Sequence, residues 1–227
     1  GSEAPICPIA IAGFNSLRAL SRRNADPTAS SRPFDLERDG FVIAEGATIL
    51  ILESYKSVVA RGITPLAELA GYGTTSDAHH ITEPAPEGAR AAKAMQLALQ
   101  KANLQSGEID YVNAHGTSTN LNDRLETQAI KTALGEDAFK IPISSTKSMT
   151  GHMLGAGGAL EAAVCIKVIE HGIIPPTINL DNLDPDCDLD YTPNVARPKQ
   201  VKIAMSNSFG FGGHNSVLIF SEVDLKL

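Results

Sequence analysis

The chain is poor in several features that would assign it quickly. Cysteine is scarce: three in 227 residues, Cys7, Cys165 and Cys187, at irregular spacing. That spacing fits neither a disulfide framework nor a zinc pattern and reads as thiols of a reducing compartment. No apolar stretch reaches the length needed to cross a bilayer, and the first residues lack a basic segment followed by an apolar run. Positive charge is not in excess: 19 Lys and Arg against 26 Asp and Glu give a formal charge of −7. Such a balance argues against nucleic-acid binding. What remains is an ordinary globular composition, 43% hydrophobic and 20% charged, in a chain long enough for one sizeable core or two small ones.

Hydrophobic periodicity divides the chain into short strands and helices. Phe41 to Glu53 alternates apolar and small residues around Glu45-Gly46 and is predicted to form a pair of strands or a bulged hairpin. Ser54 to Arg61 reads as a short helix stopped by Gly62. A strand over Leu66 to Tyr72 and a loop over Thr74 to Pro86 follow. The spacing of Ala91, Met95, Ala98, Leu99 and Ala102 then predicts an amphipathic helix. Ile109 to Ala114 is a strand. Asn122 or Asp123 caps a helix that carries Leu125, Ala129, Ile130 and Ala133 and closes at Gly135. Ile141 to Ser144 is a strand, followed by an Ala-rich helix from Leu154 to His171 that closes at Gly172. Val201 to Ser206 and Ser216 to Phe220 complete the strands, joined through a glycine loop. Helices alternating with short strands imply a layered α/β fold, with a boundary near Gly62.

Three strings carry the chemistry: His115-Gly-Thr-Ser-Thr119, Ser144-Ser-Thr-Lys-Ser-Met-Thr-Gly-His152 and Asn207-Ser-Phe-Gly-Phe-Gly-Gly-His-Asn215. Each follows a short apolar run and opens into small or polar residues, as a strand end does when it becomes an active-site loop. Two deliver a histidine flanked by glycine and hydroxyl residues. The third supplies glycines that let backbone N–H groups approach a ligand closely. It also contains Gly-x-Gly, but between two strands rather than between strand and helix, so no dinucleotide is implied. Glu161 lies in Gly158-Ala-Leu-Glu-Ala-Ala163, a helical stretch so apolar that the carboxylate should point inward and must then be paired or hydrogen-bonded. Lys147 is the natural partner, directly or through water or a bound cation. Thr117 and Thr119, at i and i+2 of an extended segment, should point the same way. Asn207 and Asn215 are expected to fix the glycine loop by side-chain hydrogen bonds.

With Ser31-Arg-Pro-Phe-Asp35, Arg38-Asp-Gly-Phe-Val-Ile-Ala-Glu-Gly46 and Pro176-Thr-Ile-Asn-Leu180, these strings resemble the β-ketoacyl-acyl-carrier-protein synthases of the thiolase-like superfamily, those of dissociated type II fatty-acid synthesis above all. The resemblance runs essentially end to end. It implies a thiolase-like layered α-β-α fold, with residues 1–62 as the tail of the N-terminal half and 63–227 as the C-terminal half. Family members carry a nucleophilic cysteine at a strand-to-helix turn, in a segment similar to Asp-Thr-Ala-Cys-Ser. No such segment occurs here, and Cys7, Cys165 and Cys187 stand in other contexts. The chain is therefore expected to be the C-terminal part of a condensing enzyme and not competent alone.

The resemblance further implies a role for each site residue. His115 and His152 would be the neutral imidazoles that stabilise an enolate as a malonyl thioester loses carbon dioxide. Lys147 would orient the second histidine, in partnership with Glu161. Thr117 and Thr119 would hold the amides of a phosphopantetheine arm, which arrives on the carrier protein, so no resident cofactor or metal is implied. Phe209, Gly210, Phe211 and Gly212 would form a mobile loop in which Phe211 gates the acyl pocket and its N–H supplies half of an oxyanion hole. Asn120 stands where the family usually has proline. Implied partners are acyl carrier protein, acyl and malonyl thioesters and a second copy of the parent protein, without nucleic acid or membrane. Since the carrier is acidic, docking needs a local basic patch, for which Arg18, Arg22 and Arg23 at helical spacing are candidates. The implied compartment is cytoplasmic, or a plastid or mitochondrion if a transit segment precedes this sequence. A polyketide ketosynthase, a chain-length partner, or a non-catalytic half that only binds carrier protein are the alternatives.

Overall fold

A computed structural model describes residues 1–223. The elements in chain order are β1 (Ser2–Glu3), α1 (Pro8–Ser16), β2 (Gly46–Ala47), α2 (Tyr55–Arg61), β3 (Glu68–Ser76), α3 (Ala89–Ala102), β4 (Tyr111–Asn113), α4 (Asn120–Leu134), β5 (Ile143–Ser144), α5 (Lys147–Thr150), α6 (Gly157–His171), β6 (Ile173–Ile174), β7 (Arg197–Pro198), β8 (Ile203–Gly210) and β9 (His214–Ser221). Five strands form the main sheet in the order β3-β9-β8-β4-β5. β8 and β9 are antiparallel neighbours, and β9 pairs antiparallel with β3. β4 runs parallel to both β8 and β5, so the carboxyl ends of β4, β5 and β8 open on one edge.

Side-chain alternation along these strands builds two cores. Val112, Met205, Val217 and Ile219 face one way and pack with Ala91, Met95 and Ala98 of α3 and Ala129 and Ile130 of α4. Tyr111, Ala204 and Phe220 face the other way and pack with Ala162, Cys165 and Val168 of α6. The result is the expected α-β-α layering. β3 approaches α3 so closely that a Cβ on Gly73 would collide with the carbonyl oxygen of Ala94, which accounts for glycine in a strand interior. Among the described residues no helix is long and apolar enough to cross a membrane.

Helix α2 forms as its sequence predicts: Ser54 accepts from the Ser57 N–H and Gly62 closes it in a left-handed conformation. Four local expectations are corrected. Phe41 to Glu53 makes no hairpin. Phe41 bridges Leu20, Ile43 bridges His152, and Gly46–Ala47 pairs with Ser2–Glu3, so each part of the segment finds a distant partner instead of its own neighbour. The cap of α4 is Thr119, whose hydroxyl accepts from the Asn122 N–H. Asp123 cannot serve there because its buried carboxylate accepts from the Phe34 N–H and faces Arg38. Finally, α1 ends at Ser16, and Arg18 takes a positive φ of 55°, so Arg18, Arg22 and Arg23 do not share a helix face. β3 also runs on to Ser76, past the predicted strand end, because it follows β9 to the His214 pair.

Candidate active site

The open edge of the sheet carries a cavity of about 690 Å³ whose lining includes His115, Thr117, Thr119, Lys147, His152 and Phe211. His115 leaves β4 at a turn tightened by Gly116 (φ +34°), where a Cβ would lie 2.5 Å from Ser145 Cβ. The turn is held from behind by Glu126 of α4: Oε1 accepts from the His115 N–H at 2.8 Å and Oε2 from the Gly116 N–H at 2.7 Å. Asn207 donates to the same Oε1 at 3.1 Å. Burial pushes the Glu126 carboxyl up to about 7 against the pull of those donors. Asn207 therefore braces the histidine turn, not the glycine loop as expected. Asn215 does brace that loop, donating to Asp77 Oδ1 at 2.7 Å.

His152 follows the short helix α5 and stands edge-on to His115, with ring centroids 5.4 Å apart and planes at 84°. Its Nδ1 accepts from the Leu154 N–H at 3.2 Å, so its proton resides on Nε2. Lys147 Nζ lies 3.3 Å from His115 Nδ1 and donates to the His115 carbonyl at 2.6 Å, so it steadies the first histidine and not, as expected, the second. An ammonium has no acceptor, so His115 Nδ1 accepts and Nε2 again carries the proton. Burial first, then the nearby Lys147 charge, lowers both imidazoles: His152 to about 3 and His115 well below its ordinary value. Both rings are thus neutral Nε2–H donors at physiological pH.

Lys147 also donates directly to Glu161 Oε1, with both side chains almost wholly buried. Desolvation raises the Glu161 carboxyl while Lys147 pulls it back down. Among the described residues, Glu161 Oε2, both amide atoms of Asn113 and Asn207 Oδ1 are buried and find no hydrogen-bond partner. Among the described residues no cluster of three or more His, Cys, Asp or Glu side chains is arranged to hold a metal ion.

Thr117 and Thr119 do not lie in an extended segment, because Ser118 between them turns at φ 68°. Their hydroxyls nevertheless meet, 3.0 Å apart, on the cavity wall. Phe209 sits at the end of β8, tilted against His115 at 5.6 Å. Phe211 is half exposed and 6.3 Å from Phe14. Gly210 closes β8, and Gly212 (φ +81°) turns the chain into β9 while its N–H donates to the Ile81 carbonyl at 2.7 Å. The three cysteines are free thiols, Cys165 and Cys187 buried and Cys7 exposed. Burial pushes Cys187 up to about 12 and Cys165 higher still, so neither is poised as a thiolate.

Sequence reasoning missed the supporting roles of Glu126, Phe34 and Arg38 and took Asp123 for a possible helix cap. Glu126 was detectable by the logic used for Glu161, since it lies on the face of α4 shared by Ala129 and Ile130. Phe34 and Arg38 carried no such signal, because their partners are distant in sequence.

The layered fold with two edge-on histidines at its open sheet edge is the fold of the C-terminal half of thiolase-like ketosynthases. Residues 66–181 match the family described as Beta-ketoacyl synthase, C-terminal domain, and residues 1–57 its N-terminal counterpart. The chain belongs to the β-ketoacyl synthase family. It is 54% identical over 222 residues to a 3-oxoacyl-[acyl-carrier-protein] synthase 2 of Synechocystis sp., covering 98% of this chain and 53% of that protein. A protein of the same name from Staphylococcus aureus is 51% identical over 224 residues, covering 99% and 54%. Among solved structures, a type II polyketide ketosynthase in complex with its acyl-carrier protein and bound to a hexaketide superposes with a TM-score of 0.95 at 48% identity, over 98% of this chain and 55% of that one. A β-ketoacyl synthase from Burkholderia phymatum gives 0.93 at 46%, over 99% and 54%. The chain thus spans about half the length of the curated relatives it matches.

Proposed function

We propose that this chain supplies the decarboxylation half of a β-ketoacyl-acyl-carrier-protein synthase site. The observation that carries the reading is the pair of neutral imidazoles: each has its Nδ1 occupied, and both line one cavity. As the carboxylate carbon–carbon bond of a malonyl thioester breaks, carbon dioxide leaves and the bonding electrons pass into the thioester as an enolate. Two Nε2–H donors stabilise that enolate oxygen, and the α-carbon then attacks the carbonyl carbon of an acyl thioester, whose C–S bond breaks to release the thiolate and give the β-ketoacyl product. The acyl group would sit on a cysteine outside this sequence. Lys147 and Glu161 keep His115 neutral and aligned, Thr117 and Thr119 hold the pantetheine amides, and Phe209 and Gly210 at the end of β8, with Phe211 and Gly212 in the turn that follows, bound the acyl site.

Acyl carrier protein is the proposed partner. A carrier protein accompanies the ketosynthase relative, and Arg18 lies on the cavity lining. Fatty-acid elongation is the favoured setting because the curated relatives at 54% and 51% identity are 3-oxoacyl synthases. The 48% identical polyketide ketosynthase makes polyketide extension the second reading. Pairing of the parent protein as a homodimer, a division near Gly62 and a cytoplasmic compartment follow from the same reading. The test is release of carbon dioxide from malonyl-carrier protein by the chain alone and by a chimera carrying the segment of a relative that it does not span. His115→Ala and His152→Ala should each lower the rate about 100- to 1,000-fold. A chimera that releases none, or variants that match it, would refute the reading.

A further inference from the structure

The loop that carries the two threonine hydroxyls is held by a segment from the other end of the chain. Arg38 is buried, 4% exposed. Its Nε donates to the Thr119 carbonyl at 3.1 Å and its Nη2 to the Asn120 carbonyl at 3.0 Å. Two residues on, the Gly40 N–H donates to the Ser118 carbonyl at 3.0 Å. Three successive carbonyls, 118 to 120, are therefore taken by one three-residue segment. The guanidinium is itself fixed, since Nη1 donates to Asp184 Oδ2 at 2.7 Å and to the Asp35 carbonyl at 2.8 Å. Asp123 Oδ2 stands 3.5 Å from Nε. Ser118 between the threonines adopts a left-handed φ of 68°, a conformation that costs energy for a non-glycine residue and needs surroundings that enforce it.

We propose that Arg38 is a positioning residue for the phosphopantetheine subsite: it sets the spacing and direction of the Thr117 and Thr119 hydroxyls. This rests on the reading that those hydroxyls hold a pantetheine arm. A planar fork can reach two neighbouring carbonyls while a third arm is anchored on Asp184. A lysine ammonium keeps the charge but not the fork, so Arg38→Lys removes the geometry alone.

The experiment is calorimetric titration of pantetheine into the chain, with a urea melt on each variant. Thr117→Ala and Arg38→Lys should each weaken binding about tenfold, the worth of one to two hydrogen bonds. In a Thr117→Ala/Thr119→Ala background Arg38→Lys should add little, because both hydroxyls through which it acts are gone. An arginine that merely stabilises the fold would lower the melt and weaken binding equally in both backgrounds, which would overturn the proposal. Should Arg38→Lys not fold, Asp184→Asn, which loosens the anchor and leaves Arg38 in place, must weaken binding in the same non-additive way. If Thr117→Ala binds pantetheine as the parent does, or the parent binds none, the subsite reading itself falls. If Thr117→Ala weakens binding and neither Arg38→Lys nor Asp184→Asn does, only the role of Arg38 falls.

Discussion

Residues 1–62 and residues 66–223 have similarly apolar segments but use them very differently. α1 reads Pro-Ile-Ala-Ile-Ala-Gly-Phe-Asn-Ser and buries none of its residues, and α2 buries only Val58. α3, α4 and α6 each bury six or seven. Ile49 and Ile51 are 84% and 82% exposed, whereas Ile130 and Ile143 are fully buried. The difference lies in the sheet. Wherever a helix meets the faces of β3, β9, β8 and β4, its apolar stripe is covered. Only one stretch of the first region is treated likewise, Ser30 to Phe41, and it is the stretch that lies against the His115 loop and α4. Burial therefore follows contact with the sheet and its site, not hydrophobicity along the chain.

The sharpest way to break that contrast is to disturb the buried charge pair. Lys147→Ala or Glu161→Gln leaves the other group uncompensated in the interior and should cost about 3–5 kcal/mol. Urea unfolding of both single variants and the double variant checks this. The double variant should cost clearly less than the sum, and strict additivity would show that the two do not share a network.

A second comparison sets two apolar residues of the first region side by side. Phe34 is fully buried, stacks on Tyr191 at 3.7 Å between centroids and lies behind Gly116. Phe34→Ala should cost about 3 kcal/mol or more. Ile49→Ala, in the same region, should change stability by no more than about 0.5 kcal/mol. Equal losses at the two positions would show that the first region buries Ile49 in solution.

A smaller effect than the loss of Phe34 is the response to acid, which belongs to the second region. His152 titrates near 3 when folded and near 6.5 as an ordinary histidine. Between those values the unfolded chain binds a proton that the folded chain refuses, so stability falls as pH drops from about 6.5 towards 3. Burial of Glu126, whose folded value is about 7 against 4.5, acts in the opposite direction between those limits. The stability gap between the parent and His152→Gln should therefore narrow as pH is lowered from 7 to 5. A gap independent of pH would show that His152 is not desolvated as described.

Much of this protein was legible from local pattern. The helical spacing of α3 and α4, the Ala-rich run of α6, the glycine that closes α2 and the short apolar runs of β8 and β9 each reflect short-range rules. So does the inward carboxylate of Glu161, which an apolar helix makes unavoidable. What local pattern could not reveal is where a polar group finds a partner far along the chain. Asp123 has the chemistry of a helix cap, yet tertiary packing gives it Phe34 and Arg38 instead, and Thr119 takes the cap. Phe41 to Gly46 alternates as a hairpin would, yet its bridging partners are Leu20, His152 and Glu3. The sequence by itself determined the layered fold and the residue types at the sheet's open edge, because periodicity and small-residue loops are local properties. Only the tertiary structure decided which tautomer each histidine holds and which residues steady them, because those depend on donors and charges brought together from Arg38, Glu126, Lys147, Leu154 and Glu161 in the dry interior.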